Sequence, residues 1–381
     1  MPIKHFEYFS SIGKPVVLLC SRGKMGLQQS LERLVVRNCE FQGSIPTSFW
    51  TLPQIRDITL NFNNFSGILP SSISNLSQIT HLDLSSNNFS GSLPSSISNL
   101  TKITSLDLSS NNFHGILPSS ISNLTQITSL DLSSNNFHGI HPSSISNLTQ
   151  IRWLDLASNN FSGVLPSSIS NLRNLSYLFL ANNYFTGPFF SWDAILPQLE
   201  YLDVSNNSLT GPLPSQVIAP PNLIALNIGR NLINGTIPSW VFELPALEYL
   251  DLSYNKLIGH TLKFQSSLLK FIDLSNNYLH GTVPNSTFEH RNLTHLILSS
   301  NSFSGTIPES NRFSENLNVL ALKMNNFSGT IHDSFSRRNS LTTINLYGNG
   351  FEGPIPKSLI YCRNLEVLDL GRNNFFEEFP S

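Results

Sequence analysis

Aspartates recur along this chain at a fixed interval. Asp83, Asp107, Asp131 and Asp155 stand 24 residues apart, and the column resumes at Asp203, Asp251, Asp273 and Asp369. Carboxylates held side by side could attract cations or a basic peptide. Half of these aspartates sit in an LDLS phrase, however, so the plainer expectation is a solvated column hydrogen-bonded to the neighbouring serine hydroxyls. Two positions upstream, a second column carries Trp153, Tyr177, Tyr201, Ala225, Tyr249 and Phe271. Arg152, Phe179, Asn206, Arg230 and Tyr254 fall in adjoining columns. Aromatic and arginine side chains grouped on one surface are what protein and peptide recognition favours; the plainer alternative for any single ring is that tyrosine and phenylalanine simply suit a sheet surface. The candidate ligand-binding residues are therefore Arg152, Trp153, Tyr177, Phe179, Tyr201, Arg230, Tyr249, Tyr254 and Phe271.

A third pattern is N-x-S/T, the acceptor for N-linked glycans. It occurs at Asn64, Asn75, Asn88, Asn99, Asn123, Asn147, Asn160, Asn174, Asn206, Asn234, Asn285, Asn292 and Asn326. Copying a repeat copies its acceptor, so part of this abundance is arithmetic. In a secreted product the glycans are expected on the convex and lateral faces, leaving the concave face open.

Catalytic patterns are missing: there is no G-x-S-x-G, H-E-x-x-H, P-loop or kinase signature, and no catalytic residue, metal ligand or cofactor is assigned. Cys20, Cys39 and Cys362 have neither paired nor metal-ligand spacing. Cys39 and Cys362 fall at packed positions of their repeats, which predicts small buried residues rather than reactive thiols. His141, Phe190, His260 and His332 depart from the repeat at or near its proline position and read as loop variation. With only 12% charged residues and a net charge of -2, the chain has no nucleic-acid footprint and is no disordered polyelectrolyte.

The elements that must position these columns follow from the period. The asparagine of an LxLxxN phrase stands at Asn63 and every 24 residues to Asn255, takes one step of 22 to Asn277, and resumes at 24 through Asn373. Such a beat marks a solenoid in which each unit buries its apolar face only against its neighbours. Within ITSLDLSSNNFHGILPSSISNL-type units, Ile127, Leu130 and Leu132 alternate as a short strand does. Asn135 follows at the inward bend, where its amide can satisfy backbone groups that would each cost about 1–3 kcal/mol if buried unpaired. Phe137, Ile140, Ile145 and Leu148 complete the wedge, Gly139 allows a tight backbone and Pro142 an extended one. The 22-residue step shortens one arm near His260 and predicts a mild kink there.

The phrase LxxLxLxxNxFSGxLPxSIxNLxx resembles the plant-type extracellular leucine-rich repeat over nearly everything after Leu31. The closing LEVLDLGRNNFFEEFPS, with Cys362 just upstream, is most similar to the receptor-like proteins of that family. The resemblance implies an α/β leucine-rich-repeat solenoid, a curved right-handed superhelix with a parallel concave β-sheet and short irregular or 3-10 convex arms. It also implies a recognition module on the extracellular side of the plasma membrane, binding a peptide, protein or glycan and signalling through a separate membrane co-receptor or adaptor kinase. Secreted polygalacturonase inhibitors share the repeat and provide the alternative reading; a non-functional truncated receptor copy is a third.

Residues 1–30 show no cysteine cap and no confident element, and residues 31–381 form the array, which is still running at Ser381. Repeat arrays need polar caps, so the chain reads as a piece of a larger receptor-like protein. No apolar run reaches the length of a signal-peptide core or a membrane span.

Overall fold

The computed structural model describes residues 30–140, 143–189, 196–215, 220–309 and 313–376. The segment before residue 30, the last five residues, His141, Pro142 and Phe190 lie outside them. Every described repeat contributes one short strand to an inner parallel sheet, from Arg33–Val35 to Val367–Asp369. Its 15 strands follow chain order without a crossover. The leucine-rich-repeat solenoid anticipated from the period is the architecture observed.

Each turn is closed by its ladder asparagine. The Asn135 amide nitrogen donates toward Leu132 O (3.2 Å) and Ser133 O (3.1 Å) in its own bend and to Leu108 O (2.9 Å) one turn back. Its oxygen accepts from the Phe113 backbone N–H at 3.0 Å. The same set recurs at Asn111, Asn159, Asn183 and Asn255. One side chain thus satisfies donors and acceptors of two turns in a dry bend.

A second sheet runs beside the first, from Gln42–Ser44 to Asn374–Phe375, again with 15 parallel strands in chain order. The arms beyond it close with short 3-10 turns such as Ser95–Asn99. Pro94 enters that turn extended, and Ile97 and Leu100 each donate three residues back, to Pro94 O and Ile97 O. Later arms use short α-helices, Ser239–Glu243 and Asn285–Phe288.

The wedge between the layers is apolar throughout. Ile127, Leu130, Leu132, Phe137, Ile145 and Leu148 are all fully buried. From Phe41 to Phe185, one phenylalanine per turn stacks on the next at 5.9–6.4 Å between centroids. The stack gives way to Leu209, Ile233, Leu257 and Leu279 and returns at Phe303, Phe327 and Phe351. At Gly139 the backbone takes φ +87, and an added Cβ would stand 2.9 Å from Ile116 Cγ2 of the preceding turn. Only glycine meets both conditions without strain.

The short step between Asn255 and Asn277 is absorbed on the outer arm. Tyr249 still pairs with Phe271 across the inner strands, and Asn277 still reaches Leu252 O at 3.0 Å. His260, in that arm, packs edge-on against His280 with ring centroids 4.4 Å apart.

Candidate recognition surface

Side chains alternate along a strand, so with Leu202 and Val204 buried, Tyr201 and Asp203 face outward from the inner sheet. Pairing across adjacent strands then sets Trp153, Tyr177, Tyr201, Ala225, Tyr249 and Phe271 in one row. The rings stack. Trp153 lies 4.8 Å from Tyr177, Tyr177 lies 5.1 Å from Tyr201, and Tyr249 lies 4.4 Å from Phe271 with planes 8° apart. Phe179 joins the first group at 5.2 Å from Trp153. His295, which the sequence reading did not include, extends the second group at 5.5 Å from Phe271. The column is therefore two stacks with Ala225 between them. Each ring is half-buried by its neighbours, which fixes it in place and leaves its outer edge to solvent. Tyr177 also donates its hydroxyl to Glu200 Oε2 at 3.2 Å.

Arg152 is exposed beside the first stack. Arg230 and Tyr254 stand in the column just before the ladder asparagine, where φ is +54 and +50. Serine or asparagine fills most of that column, as at Ser110, Ser134, Asn182 and Asn206. A left-handed backbone costs a residue with a Cβ about 1–2 kcal/mol, and asparagine tolerates it best. The two bulky residues are held together, with the Arg230 guanidinium 4.3 Å over the Tyr254 ring. Beside them opens a polar recess of about 440 Å³, lined by Asn182, Ser205, Asn206, Asn227, Gly229, Arg230 and Asp251.

The aspartate column behaves differently from its sequence reading. Its hydrogen bonds to serine are present: Asp131 Oδ1 accepts from Ser133 N at 2.9 Å and Ser133 Oγ at 2.7 Å, and Asp83 and Asp107 repeat the arrangement. The column is not freely solvated, however. Asp83 is only 9% exposed, and Asp107, Asp131 and Asp155 are half-buried in register across consecutive strands. Burial first, and the neighbouring negative charges second, push the carboxyls of Asp107, Asp131 and Asp155 up to about 7. Phe179 interrupts the column, and further along Asn227 donates to Asp203 Oδ2 at 3.1 Å, placing an amide between two acids.

The glycan acceptors are exposed, apart from half-buried Asn292. Asn206 departs from the expectation that they avoid the inner face. It belongs to the inner bend, lines the recess, and donates to Asn182 Oδ1 at 2.8 Å. A glycan there would stand over the candidate surface. The N-x-S pattern carries no information about which face an asparagine takes, whereas its position next to Asn207 in the ladder does.

Cys362 is packed in the core, and burial raises its thiol above the ordinary range. Cys39 is half-buried and its thiol donates to Arg37 O at 3.2 Å. Among the described residues no group of His, Cys, Asp or Glu is arranged to hold a metal ion, and no helix is long and apolar enough to cross a membrane.

A family model described as leucine-rich repeat region matches residues 28–297, and a second, for the leucine-rich repeat, matches 292–312 and 340–362. Among curated proteins none matches. Solved structures do. One is PEPR1 with AtPEP1, at 31% identity and TM-score 0.81, covering 91% of this chain and 52% of that one. A second is the Arabidopsis receptor kinase HAESA ectodomain in complex with an extended IDA peptide hormone, at 34% and 0.83, covering 88% and 57%. A third is HAESA in complex with IDA and the co-receptor SERK1, at 30% and 0.66, covering 88% and 65%. The chain thus spans between half and two-thirds of the length of each. The repeat, the two sheets, the asparagine ladder and these matches agree: the chain belongs to the leucine-rich-repeat family, in the plant type found in receptor ectodomains.

Proposed function

We propose that this chain is the ligand-recognition part of a plant receptor, acting on the extracellular side of the plasma membrane and binding a peptide on its inner face between Arg152 and Phe271. The carrying observation is the pair of stacked aromatic groups on the inner sheet, prepositioned by one another before any ligand arrives. Rigid rings contribute contact area at little entropic cost, and an arginine at either stack, Arg152 and Arg230, adds polar specificity. PEPR1 and HAESA, whose solved complexes hold AtPEP1 and IDA, make a peptide the favoured ligand class. The HAESA complex with SERK1 supports a separate membrane co-receptor as the partner that passes the event to a kinase.

The reading is tested with the soluble protein carrying Tyr177→Ala, Tyr201→Ala and Tyr249→Ala together. Peptides selected on the parent protein from a displayed random library should bind the triple variant at least tenfold more weakly, about 1.4 kcal/mol. Undiminished binding by a variant that melts normally would move the ligand site elsewhere.

A further inference from the structure

The row of rings is broken at one turn only between Trp153 and His295, and along the strand of that turn Ala225 and Gly229 are smaller than their neighbours, although Arg230 at its end is not. Ala225 stands where its neighbours carry Tyr201 and Tyr249, Asn227 where they carry Asp203 and Asp251, and Gly229 where they carry Ser205 and Ser253. The result is a notch running along the strand, across the face, and opening into the polar recess. Two strand steps of about 4.8 Å separate the flanking turns by about 10 Å. One flat or rod-like side chain inserted there would lie about 4.8 Å from the turn on each side, near the spacing the rings of the row already keep.

The walls are acidic. Asp203 and Asp251 flank Asn227 on one side of the notch, and Glu200 and Glu248 flank Ile224 on the other. Tyr201 feels the negative charge of Glu248 and Glu200, and Tyr249 that of Asp251, Asp203 and Asp273; with burial as the larger cause, both phenols are raised above their ordinary value. Of the positive groups nearby, Lys270 is paired with Glu248 at 2.5 Å, whereas Arg230 keeps its charge over the Tyr254 ring and lines the recess. Asp251 Oδ1 accepts from Ser253 N at 2.9 Å, while its Oδ2 has no donor among the described residues. Gly229 leaves room for that carboxylate, since a Cβ there would meet Asp251 Oδ1 at 2.8 Å.

We propose that the notch at Ala225 is a subsite for one cationic side chain, lysine or arginine, of a bound peptide; this rests on the peptide-recognition reading above. The aliphatic stem would lie on the Ala225 methyl between the two tyrosines, and the charged head would reach the open oxygen of Asp251. An acidic side chain there would be repelled by Asp203, Asp251 and Glu200, none of which has an ion-pair partner among the described residues.

The test uses random peptides displayed on phage and selected on the soluble chain, with two variants that borrow residues its own neighbouring turns carry. Ala225→Tyr fills the notch, and Asp251→Asn removes the charge while keeping the shape. Selected peptides should be enriched in lysine or arginine at one position. Replacing that residue by alanine should weaken binding to the parent at least tenfold and leave binding to Ala225→Tyr unchanged, and Asp251→Asn should weaken the basic peptide by a similar factor. If peptides are selected without a basic residue, or bind Ala225→Tyr as tightly as the parent while Tyr177→Ala weakens them, the notch is not the subsite and the recognition reading stands. If the parent chain retains no peptide, both are overturned.

Discussion

Replacing Asp131 by asparagine should stabilise the protein at pH 8 and do almost nothing at pH 4. Asp131 lies between Asp107 and Asp155 in register, and its carboxyl is raised from 3.8 to about 7. A group whose folded pKa is raised binds protons more readily folded than unfolded. Its contribution is therefore most favourable below about 4 and declines as the pH climbs through 7. Three pH units correspond to about 4 kcal/mol, and the shared titration with Asp107 and Asp155 reduces what one substitution recovers to about 2–3 kcal/mol. Asparagine keeps the acceptor that Ser133 uses, as Asn227 does for Gly229 at 3.1 Å, and adds a donor toward the next carboxylate, as Asn227 does for Asp203. The assay is thermal unfolding across pH 4–8, with amide exchange in the turns around Asp131 as a local readout, because long repeat arrays need not unfold as one unit. A gain of equal size at both ends of the pH range, or a loss at pH 8, would refute the account of a self-repelling column.

Asn135→Ala should destabilise its turn by about 3–5 kcal/mol, since Phe113 N and at least one of the carbonyls it serves are left buried without a partner; exchange protection should fall in the turns on both sides of it and in no others. Gly139→Ala should cost about 1–3 kcal/mol through its left-handed backbone and the contact with Ile116, measured by denaturant unfolding against the parent. If the protein is made through a secretory route, deglycosylation should shift its gel band, and Asn206→Gln should strengthen peptide binding where Asn75→Gln leaves it unchanged. Identical effects of the two replacements would mean that Asn206 carries no glycan over the recess.

Much of this was legible in the sequence because the repeat makes space out of chain distance: residues 24 apart become neighbours. The asparagine ladder, the apolar wedge and the row from Trp153 to Phe271 could all be read that way. The second sheet could not, because the Asn-Phe-Ser-Gly stretch has no apolar alternation, and its strands are held by pairing between turns. The phenylalanine stack was visible as buried residues but not as a stack. The state of the aspartates was misread for a related reason. LDLS shows a serine partner two residues away, while burial and the charges of Asp107 and Asp155 act from adjacent turns. Asn206 matched two patterns at once, and only its place in the bend showed which face it takes.

The asparagine bonds also have a direction. Phe113 N waits for Asn135, 22 residues further on, and Leu108 O waits for the same amide. A ribosome adding about 5–20 residues per second leaves each bend unfinished for about one to four seconds before its closing side chain is made. On the ribosome, each new coil would therefore supply the bonds that lock the one before it. A slow codon in one coil would prolong the exposure of the coil already out.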